Sequence, residues 1–218
     1  MIAALGDLAF GYRTPKDRYI LERVVKENLY RVPADLRGRT VIDIGAHIGG
    51  CTVLAAAAGA RVIAIEPEAS NVALLRTNVA GNRNRFTGAE LDVAAIAGAV
   101  AERAGVQRLF LDESNTGGHS LFRDIGDRSR SLFQDVLSIE LTELFSHYGV
   151  DEIALVKVDC EGAERFIIPW IVRRLSGIEA IAVEFHDRNS LRFARRAFGD
   201  EGWIPERLSD DEWRFSRG

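Results

Sequence analysis

The chain has 218 residues, 47% of them hydrophobic, which is enough for one domain with a substantial core. Its 28 basic and 32 acidic residues give a formal net charge of −4, and this weak acidity argues against a large nucleic-acid interface, which needs a basic face. No apolar run approaches the ~18–20 residues of a membrane span, and the start of the chain lacks the basic region of a signal peptide. Cys51 and Cys160 fit neither a disulfide framework nor a metal site, so we expect a cytoplasmic protein.

The first half of the chain alternates strands and helices. Apolar residues at helical spacing predict a helix over 17–31, and "TVIDIGA" (40–46) is typical of a buried strand. A helix over 51–59, a strand over 61–67 and a helix over 68–82 follow. This order predicts βαβ units and a parallel sheet.

The second half is less regular. The candidate strands are 85–89, 107–112, 135–141, 153–159 and 178–184; helices are predicted over 94–105 and 190–199, and a hairpin over 203–215. We therefore expect a doubly wound α/β fold, Rossmann-like, with a mostly parallel sheet and antiparallel strands near the C-terminus. A helical lead-in (1–39) would precede a Rossmann-like domain (40–218), the two forming a single domain.

The loop "DIGAHIGG" (43–50) has the composition of a nucleoside site. Gly45 lets the backbone turn off the strand, and Gly49 lets the next helix begin close to a ligand. Glu66 follows after about 20 residues, the spacing at which an acidic residue binds both ribose hydroxyls. The GxGxxG pattern of a dinucleotide site is incomplete, and Asp43 would repel a pyrophosphate but suits the cationic amine of S-adenosylmethionine. The sequence therefore favours that cofactor over NAD.

Three segments resemble a known family. Residues 41–82 resemble the cofactor half of class I S-adenosylmethionine-dependent methyltransferases, and "LVKVDCEGAE" (155–164) resembles the signature of the FkbM family within them. "IEAIAVEFHD" (178–187) is similar to the strand that follows in that family. The resemblance implies an O-methyltransferase acting on hydroxyls of sugars, polyketides or other secondary metabolites.

The same resemblance implies the residues that bind the cofactor. The methionine portion would be surrounded by Asp43, Gly45, Ala46 and Gly49; Glu66 would hold the ribose, Pro67 and Asn71 would shape the adenosine side, and Asp92 would contact adenine. The family usually has Asn where this chain has His47, which we interpret as a polar loop residue.

Polar side chains follow the last two parallel strands, whose carboxyl ends adjoin in this fold. Asp159, Glu161, Glu184 and His186 are the candidate catalytic residues, as general base or substrate anchor. Histidine has the unperturbed pKa best suited to neutral pH, but crowded carboxylates also raise one another's pKa. Which group is the base stays open, with Asp159 the first candidate for the active site.

A divalent cation bound by Asp159, Glu184 and Asp187, or with His186 in the set, is an alternative way to balance these carboxylates. Nothing in the spacing requires it, so no metal is predicted.

The loop "SNTGGHS" (114–120) has the composition of a mobile lid, although an ordinary connection has the same composition. The residues expected near the substrate are Gly117, Gly118, His119 and Ser120. The expected partner is a small-molecule hydroxyl acceptor, with no nucleic acid and no membrane, and a homodimer is left open. An NAD-type oxidoreductase and a non-catalytic S-adenosylmethionine-binding protein are the alternative functions.

Overall fold

A seven-stranded sheet forms the centre of the computed structural model, which describes residues 1–125, 128–129, 131–149, 152–174 and 177–217. The strands are β1 (Ile2–Leu5), β2 (Leu8–Gly11), β3 (Thr40–Ile44), β4 (Arg61–Glu66), β5 (Val93–Ala97), β6 (Ala99–Val100), β7 (Gly105–Phe110), β8 (Asp124–Ile125), β9 (Arg128–Ser129), β10 (Phe133–Ile139), β11 (Ile153–Val158), β12 (Ala180–Glu184), β13 (Trp203–Arg207) and β14 (Glu212–Arg217). The helices are α1 (Pro15–Leu21) with a π-helical turn over Glu22–Lys26, α2 (Gly50–Ala57), α3 (Ala69–Ala80), α4 (Leu141–Tyr148), α5 (Glu164–Arg174) and α6 (Arg188–Asp200).

The central sheet has the order β13-β14-β12-β11-β3-β4-β5. Its five strands from β12 to β5 are parallel, whereas β14 is antiparallel to both β12 and β13. The predicted doubly wound α/β fold with antiparallel strands near the C-terminus is confirmed. A separate three-stranded sheet, β6-β10-β7, is inserted between β5 and β11 along the chain.

Alternating strand residues pack on opposite faces of the sheet. Val41 of β3 belongs to an apolar cluster with α2 and the N-terminal hairpin, whereas its neighbour Ile42 packs in a second cluster with Ile167 of α5 and Phe198 of α6. The sheet is therefore covered on both faces, as the apolar character of its strands requires. No helix among the described residues is long and apolar enough to cross a membrane.

The β3–α2–β4–α3 unit lies within two residues of its predicted bounds. The strands predicted at 107–112, 135–141, 153–159 and 178–184 correspond to β7, β10, β11 and β12, and the helix predicted at 190–199 and the closing hairpin correspond to α6 and to β13 with β14. Helix α4 was not predicted.

Three predicted elements differ from the structure. The strand predicted at 85–89 is wrong, because Asn84 and Ala89 close a turn there through a backbone hydrogen bond of 2.9 Å. The helix predicted at 94–105 is also wrong, because this Ala-rich segment forms β5 and β6; pairing of β5 along β4 outweighs the helical propensity of alanine. The helix predicted over 17–31 spans 15–26, and the hairpin β1–β2 precedes it.

Candidate active site

A cavity lies at the carboxyl ends of β3, β4, β11 and β12, the edge where doubly wound sheets bind ligands. Helix α1 with its π turn lines one side of it through residues such as Lys16, Tyr19 and Arg23. Another side is lined by the loop 112–120 after β7, called the covering loop below. The predicted site residues that line the cavity are Gly45, Ala46, Glu66, Pro67, Gly117, His119, Asp159, Glu161 and Glu184.

Gly45 joins the two halves of this cavity. Its φ of +78° is a conformation that favours glycine, and a Cβ atom built there would lie 1.7 Å from the carbonyl oxygen of Asp159. The end of β11 therefore packs directly against the loop that follows β3, which is possible only without a side chain at this position.

Glu66, at the end of β4, is held by donors from three residues. Its Oε1 accepts hydrogen bonds from the Asn71 amide at 3.1 Å and from the Glu68 backbone at 3.0 Å, and its Oε2 accepts one from the His47 backbone at 2.9 Å. Burial raises the pKa of this carboxyl to about 7, against the lowering effect of these hydrogen bonds. A fixed carboxylate that lines the cavity fits the role of binding ribose hydroxyls.

Asp43 lies behind the cavity. Its Oδ2 accepts a hydrogen bond of 2.6 Å from the Thr52 hydroxyl, and its Oδ1 lies 3.3 Å from Nζ of Lys157. The charge of Asp43 is therefore balanced inside the protein, and its carboxylate is not among the groups that line the cavity. This placement differs from the expected contact with the amine of the cofactor.

Lys157 is a site residue that the sequence analysis missed. It is buried near the carboxyl end of β11, donates to the carbonyl oxygen of Gly45, and its Nζ lies 3.5 Å from Oδ2 of Asp159. Burial lowers the pKa of this amine, but the carboxylates of Asp43 and Asp159 outweigh burial and raise it. An ionisable residue inside an apolar strand was the signal in the sequence.

Three other predicted cofactor residues lie outside the cavity lining: Asn71, which bonds Glu66, and Gly49 and Asp92. Gly49 is the N-cap of α2 with a φ of +92°, and it packs against Leu75 of α3. Asp92 precedes β5, so it lies at the opposite end of that strand from the cavity. Asp92 is therefore not among the residues that line the cavity, whereas Gly98, Ala99 and Val100, beyond the carboxyl end of β5, do line it.

The four predicted catalytic residues meet at one end of the cavity. The Nε2 of His186 lies 3.7 Å from Oε1 of Glu161 and 3.6 Å from Oε1 of Glu184. The Nδ1 of His186 is hydrogen-bonded to Oε1 of the fully buried Glu164 at 3.0 Å. Glu164 also accepts hydrogen bonds from the backbone of Cys160 and Gly162, so it fixes both the turn after β11 and the imidazole ring.

Three of these groups, His186, Glu184 and Asp159, have shifted pKa values. Burial lowers the pKa of His186, but the hydrogen bond and charge of Glu164 and the charge of Glu161 raise it to about 10, so the ring is an imidazolium. The charge of Asp159, followed by burial, raises the pKa of Glu184 to about 8. Burial raises the pKa of Asp159, but the charge of Lys157 outweighs burial and lowers it.

Tyr30 is the second site residue that the sequence analysis missed. Its hydroxyl donates a hydrogen bond of 3.1 Å to Oδ2 of Asp159, from which it is 129 residues away along the chain. Nothing in the local sequence around Tyr30 signals this contact, because it depends on how the N-terminal segment packs against β11.

Asp159, Glu184 and His186 each place one ligand atom within 4.8 Å of the others, and among the described residues they are the group that could hold a metal ion. Asp187, which was considered as a ligand, instead caps α6: its Oδ1 accepts hydrogen bonds from the backbone of Asn189 and Ser190.

The covering loop contacts the acidic end of the cavity. The Ser120 hydroxyl donates a hydrogen bond of 2.5 Å to the backbone carbonyl of Glu161, whose φ is +50°. Within the loop, the Asp112 backbone donates to Nδ1 of His119 at 3.0 Å, and the Gly118 backbone donates to the carbonyl of Asn115 at 2.9 Å. The loop is therefore folded against the site.

The profile of the FkbM methyltransferase domain matches residues 43–203. A search of curated proteins finds no significant match. Similar solved structures include an FkbM methyltransferase from Methylobacillus flagellatus KT, with 14% identity and a TM-score of 0.52 over 88% of this chain and 47% of that one. A magnesium protoporphyrin IX methyltransferase from Synechocystis PCC 6803 with bound SAM has 13% identity and a TM-score of 0.51, over 95% of this chain and 86% of that one.

A T. thermophilus 16S rRNA methyltransferase in complex with AdoMet and guanosine has 15% identity and a TM-score of 0.52, over all of this chain and 50% of that one. At these identities the likeness shows the class I methyltransferase fold and no more. The domain match is independent of that likeness, and it favours a methyltransferase over the oxidoreductase alternative.

Proposed function

Because the chain belongs to the FkbM methyltransferase family, we propose that it transfers the methyl group of S-adenosylmethionine to a hydroxyl of a small metabolite, such as a sugar or a polyketide. One observation carries the proposal: a single cavity has Glu66 on one side and both Asp159 and Glu184 on the other. A ribose-binding carboxylate and groups able to accept a hydroxyl proton therefore share one space.

The residues of this chain fit the cofactor on the Glu66 side. Glu66 would bind the ribose hydroxyls, the backbone of Gly45 and Ala46 would lie along the methionine portion, and 98–100 would border the adenine. When bound, the cofactor supplies a methyl group on a positively charged sulfonium. The contribution of the protein is to hold the acceptor hydroxyl in line with that group and to accept its proton.

Glu184 is the proposed general base. A base works best when its pKa lies near the working pH, and the pKa of Glu184 is raised to about 8. Asp159 has a lowered pKa and is a weaker base, and His186 already carries its second proton near neutral pH. Asp159, held by Tyr30 and Lys157, would instead orient the acceptor or balance charge.

The covered cavity supports a small acceptor. Residues of α1 and its π turn and residues 115–117 of the covering loop line it, so a large acceptor would have to displace them. The weak net negative charge of the chain and the carboxylates of the site also oppose a polyanionic acceptor such as RNA.

Turnover of labelled S-adenosylmethionine against a panel of hydroxylated sugars and polyketides tests the proposal, with RNA as the contrasting acceptor. We expect label in at least one hydroxyl compound and none in RNA. Calorimetry with S-adenosylmethionine and S-adenosylhomocysteine should show binding of both. Failure to bind either, or salt-dependent methylation of RNA instead of the hydroxyl compounds, would contradict the proposal.

We propose that the reaction needs no divalent cation. A metal at Asp159, Glu184 and His186 would have to displace a proton from an imidazolium whose pKa is about 10, which lowers the apparent metal affinity at neutral pH. A chelator such as EDTA is expected to leave the turnover rate unchanged. If EDTA abolishes turnover and added Mg²⁺ or Mn²⁺ restores it, the reaction depends on a metal ion and the proposal is wrong.

A further inference from the structure

Thr116, in the covering loop, is tied to three other elements of the protein. Its hydroxyl donates a hydrogen bond of 2.5 Å to Oδ1 of the fully buried Asp17 in α1. The same hydroxyl oxygen lies 2.9 Å from Nε2 of His47, in the loop after β3. Its backbone carbonyl accepts a hydrogen bond of 2.9 Å from the Asn71 amide of α3.

The tautomer of His47 follows from these contacts. A hydroxyl has one proton to donate, and the Thr116 proton points to the Asp17 carboxylate, which can only accept. The Nε2 of His47 must therefore carry a proton and donate it to Thr116. Burial lowers the pKa of His47 to about 4, so the ring is neutral at working pH and makes this bond as an uncharged donor.

Two of the residues that hold Thr116 also hold Glu66. The His47 backbone N–H bonds Oε2 of Glu66 at 2.9 Å, and the Asn71 amide bonds Oε1 at 3.1 Å. His47 has a φ of +51°, an unusual conformation for a residue with a side chain, and this conformation accompanies a backbone that contacts Glu66 and a ring that contacts Thr116. Each oxygen of the Glu66 carboxylate therefore accepts a hydrogen bond from a residue that also contacts Thr116 of the covering loop.

We propose that His47 is a positioning residue that couples the closed state of the covering loop to the orientation of Glu66, and so slows the dissociation of bound S-adenosylmethionine. This inference rests on the proposed function, since it concerns the same cofactor. It assigns a role to a side chain that has no contact with the acidic end of the cavity and needs no charge for its function.

The test is a double-mutant cycle on Thr116→Val and His47→Asn, read as the dissociation rate of S-adenosylmethionine in a displacement experiment. Valine keeps the shape of threonine without its hydroxyl, and asparagine tolerates positive φ better than other residues with a side chain. Loss of one buried hydrogen bond is worth roughly a tenfold change in rate. We expect His47→Asn to dissociate about tenfold faster, and Thr116→Val, which also loses its bond to Asp17, at least tenfold faster. The double variant should be no faster than Thr116→Val, because the contact with His47 is already lost there.

Two further variants separate this role from a general loss of structure. Thr116→Ser keeps the hydroxyl and should dissociate like the wild type. Ser114→Ala removes a hydroxyl of the same loop that, among the described residues, bonds only Asp112 in the same turn, at 2.6 Å, and should also leave the rate unchanged. In steady state, KM for S-adenosylmethionine should rise in Thr116→Val, while kcat falls less than twofold.

Independent effects that multiply in the double variant would overturn the inference, as would a Thr116→Val protein that releases the cofactor at the wild-type rate. If Thr116→Val does not fold, a His47→Asn protein that releases S-adenosylmethionine at the wild-type rate would equally overturn the inference. Absence of S-adenosylmethionine binding by the wild type would instead refute the proposed function, so the two failures are distinguishable.

Discussion

At the scale of single residues, the acidic end of the cavity contains four candidate proton carriers, and the pKa values of Asp159, Glu184 and His186 are shifted in different ways. Because Glu184 has a pKa of about 8 and is proposed as the base, its active form is the carboxylate present above that pH. We expect kcat/KM to rise with pH and to level off above about pH 8. Glu184→Gln should remove this rise and lower kcat by about 10²–10⁴-fold, the usual contribution of a general base.

The pH–rate profiles of the two proteins are the measurement, and Glu201→Gln is the matched control, since Glu201 is exposed on the surface. If Glu184→Gln keeps both the rate and its pH dependence, the base is another group, and Asp159→Asn becomes the variant to test.

His47 should make stability depend on pH. Its pKa falls from 6.5 in the unfolded chain to about 4 in the fold, so between these values the unfolded chain binds the extra proton. Lowering the pH from about 7.5 to about 5 should therefore cost about 2 kcal/mol of unfolding free energy through this residue. The His47→Asn variant has no histidine to titrate at this position. Between about pH 7.5 and about pH 5, its unfolding free energy should therefore fall by about 2 kcal/mol less than that of the wild type.

Urea unfolding of both proteins at the two pH values measures this difference, and the other titrating groups cancel in the comparison. Equal losses in the two proteins would mean that the buried ring is protonated in the fold, which would contradict its neutral state.

At the scale of elements, sequence patterns predicted the parts of the site that are local. The β3–α2–β4–α3 unit was predictable because β-branched strands, glycine turns and helical periodicity agree there. The segment 94–105 was not, because its alanines favour a helix when isolated, and only the open edge of β4 makes them a strand. Tyr30 escaped prediction as a site residue because its partner Asp159 comes from a distant element. Lys157 was signalled by its place in an apolar strand, but its contact with Asp43 of β3 depends on how the strands pair.

The packing of β11 against the loop after β3 predicts a large effect of Gly45→Ala. Gly38 has a similar φ of +71° with nothing within 4 Å of a built Cβ atom, whereas at Gly45 that atom would lie 1.7 Å from the Asp159 carbonyl oxygen. Gly38→Ala should cost only the conformational strain, about 1–2 kcal/mol.

Gly45→Ala should cost clearly more than Gly38→Ala in urea unfolding, because Asp159 and the loop must separate. It should also weaken cofactor binding, since Gly45 lines the cavity. Equal losses of unfolding free energy in Gly45→Ala and Gly38→Ala would show that the end of β11 does not pack against the loop after β3.

At the scale of the whole molecule, the N-terminal segment acts as part of the site. Helix α1 lines the cavity, and the hairpin that precedes it is bonded through side-chain amides to α3 and to the segment just after α3. Asn78 accepts a hydrogen bond of 2.7 Å from the Gly11 backbone and donates to the Ile48 carbonyl at 2.8 Å. Asn82 bonds both backbone groups of Ala9. The N-terminal segment that lines the cavity is therefore anchored through hydrogen bonds to Asn78 and Asn82.

Asn78→Ala should loosen this cover, because Asn78 is buried and links the hairpin, α3 and the loop after β3. Its loss leaves the Gly11 N–H and the Ile48 carbonyl without this partner, a cost of roughly 2–4 kcal/mol in unfolding free energy. We expect faster proteolysis within 1–26 and weaker binding of S-adenosylmethionine. Thr77→Ala is the matched control, because Thr77 is exposed and, within the part of the chain that the structure describes, its hydroxyl bonds only the Ala73 carbonyl of the same helix. The prediction is wrong if Asn78→Ala and Thr77→Ala are cleaved at the same rate and bind the cofactor equally well. The N-terminal segment would then be held by its apolar contacts, without a contribution from the Asn78 amide.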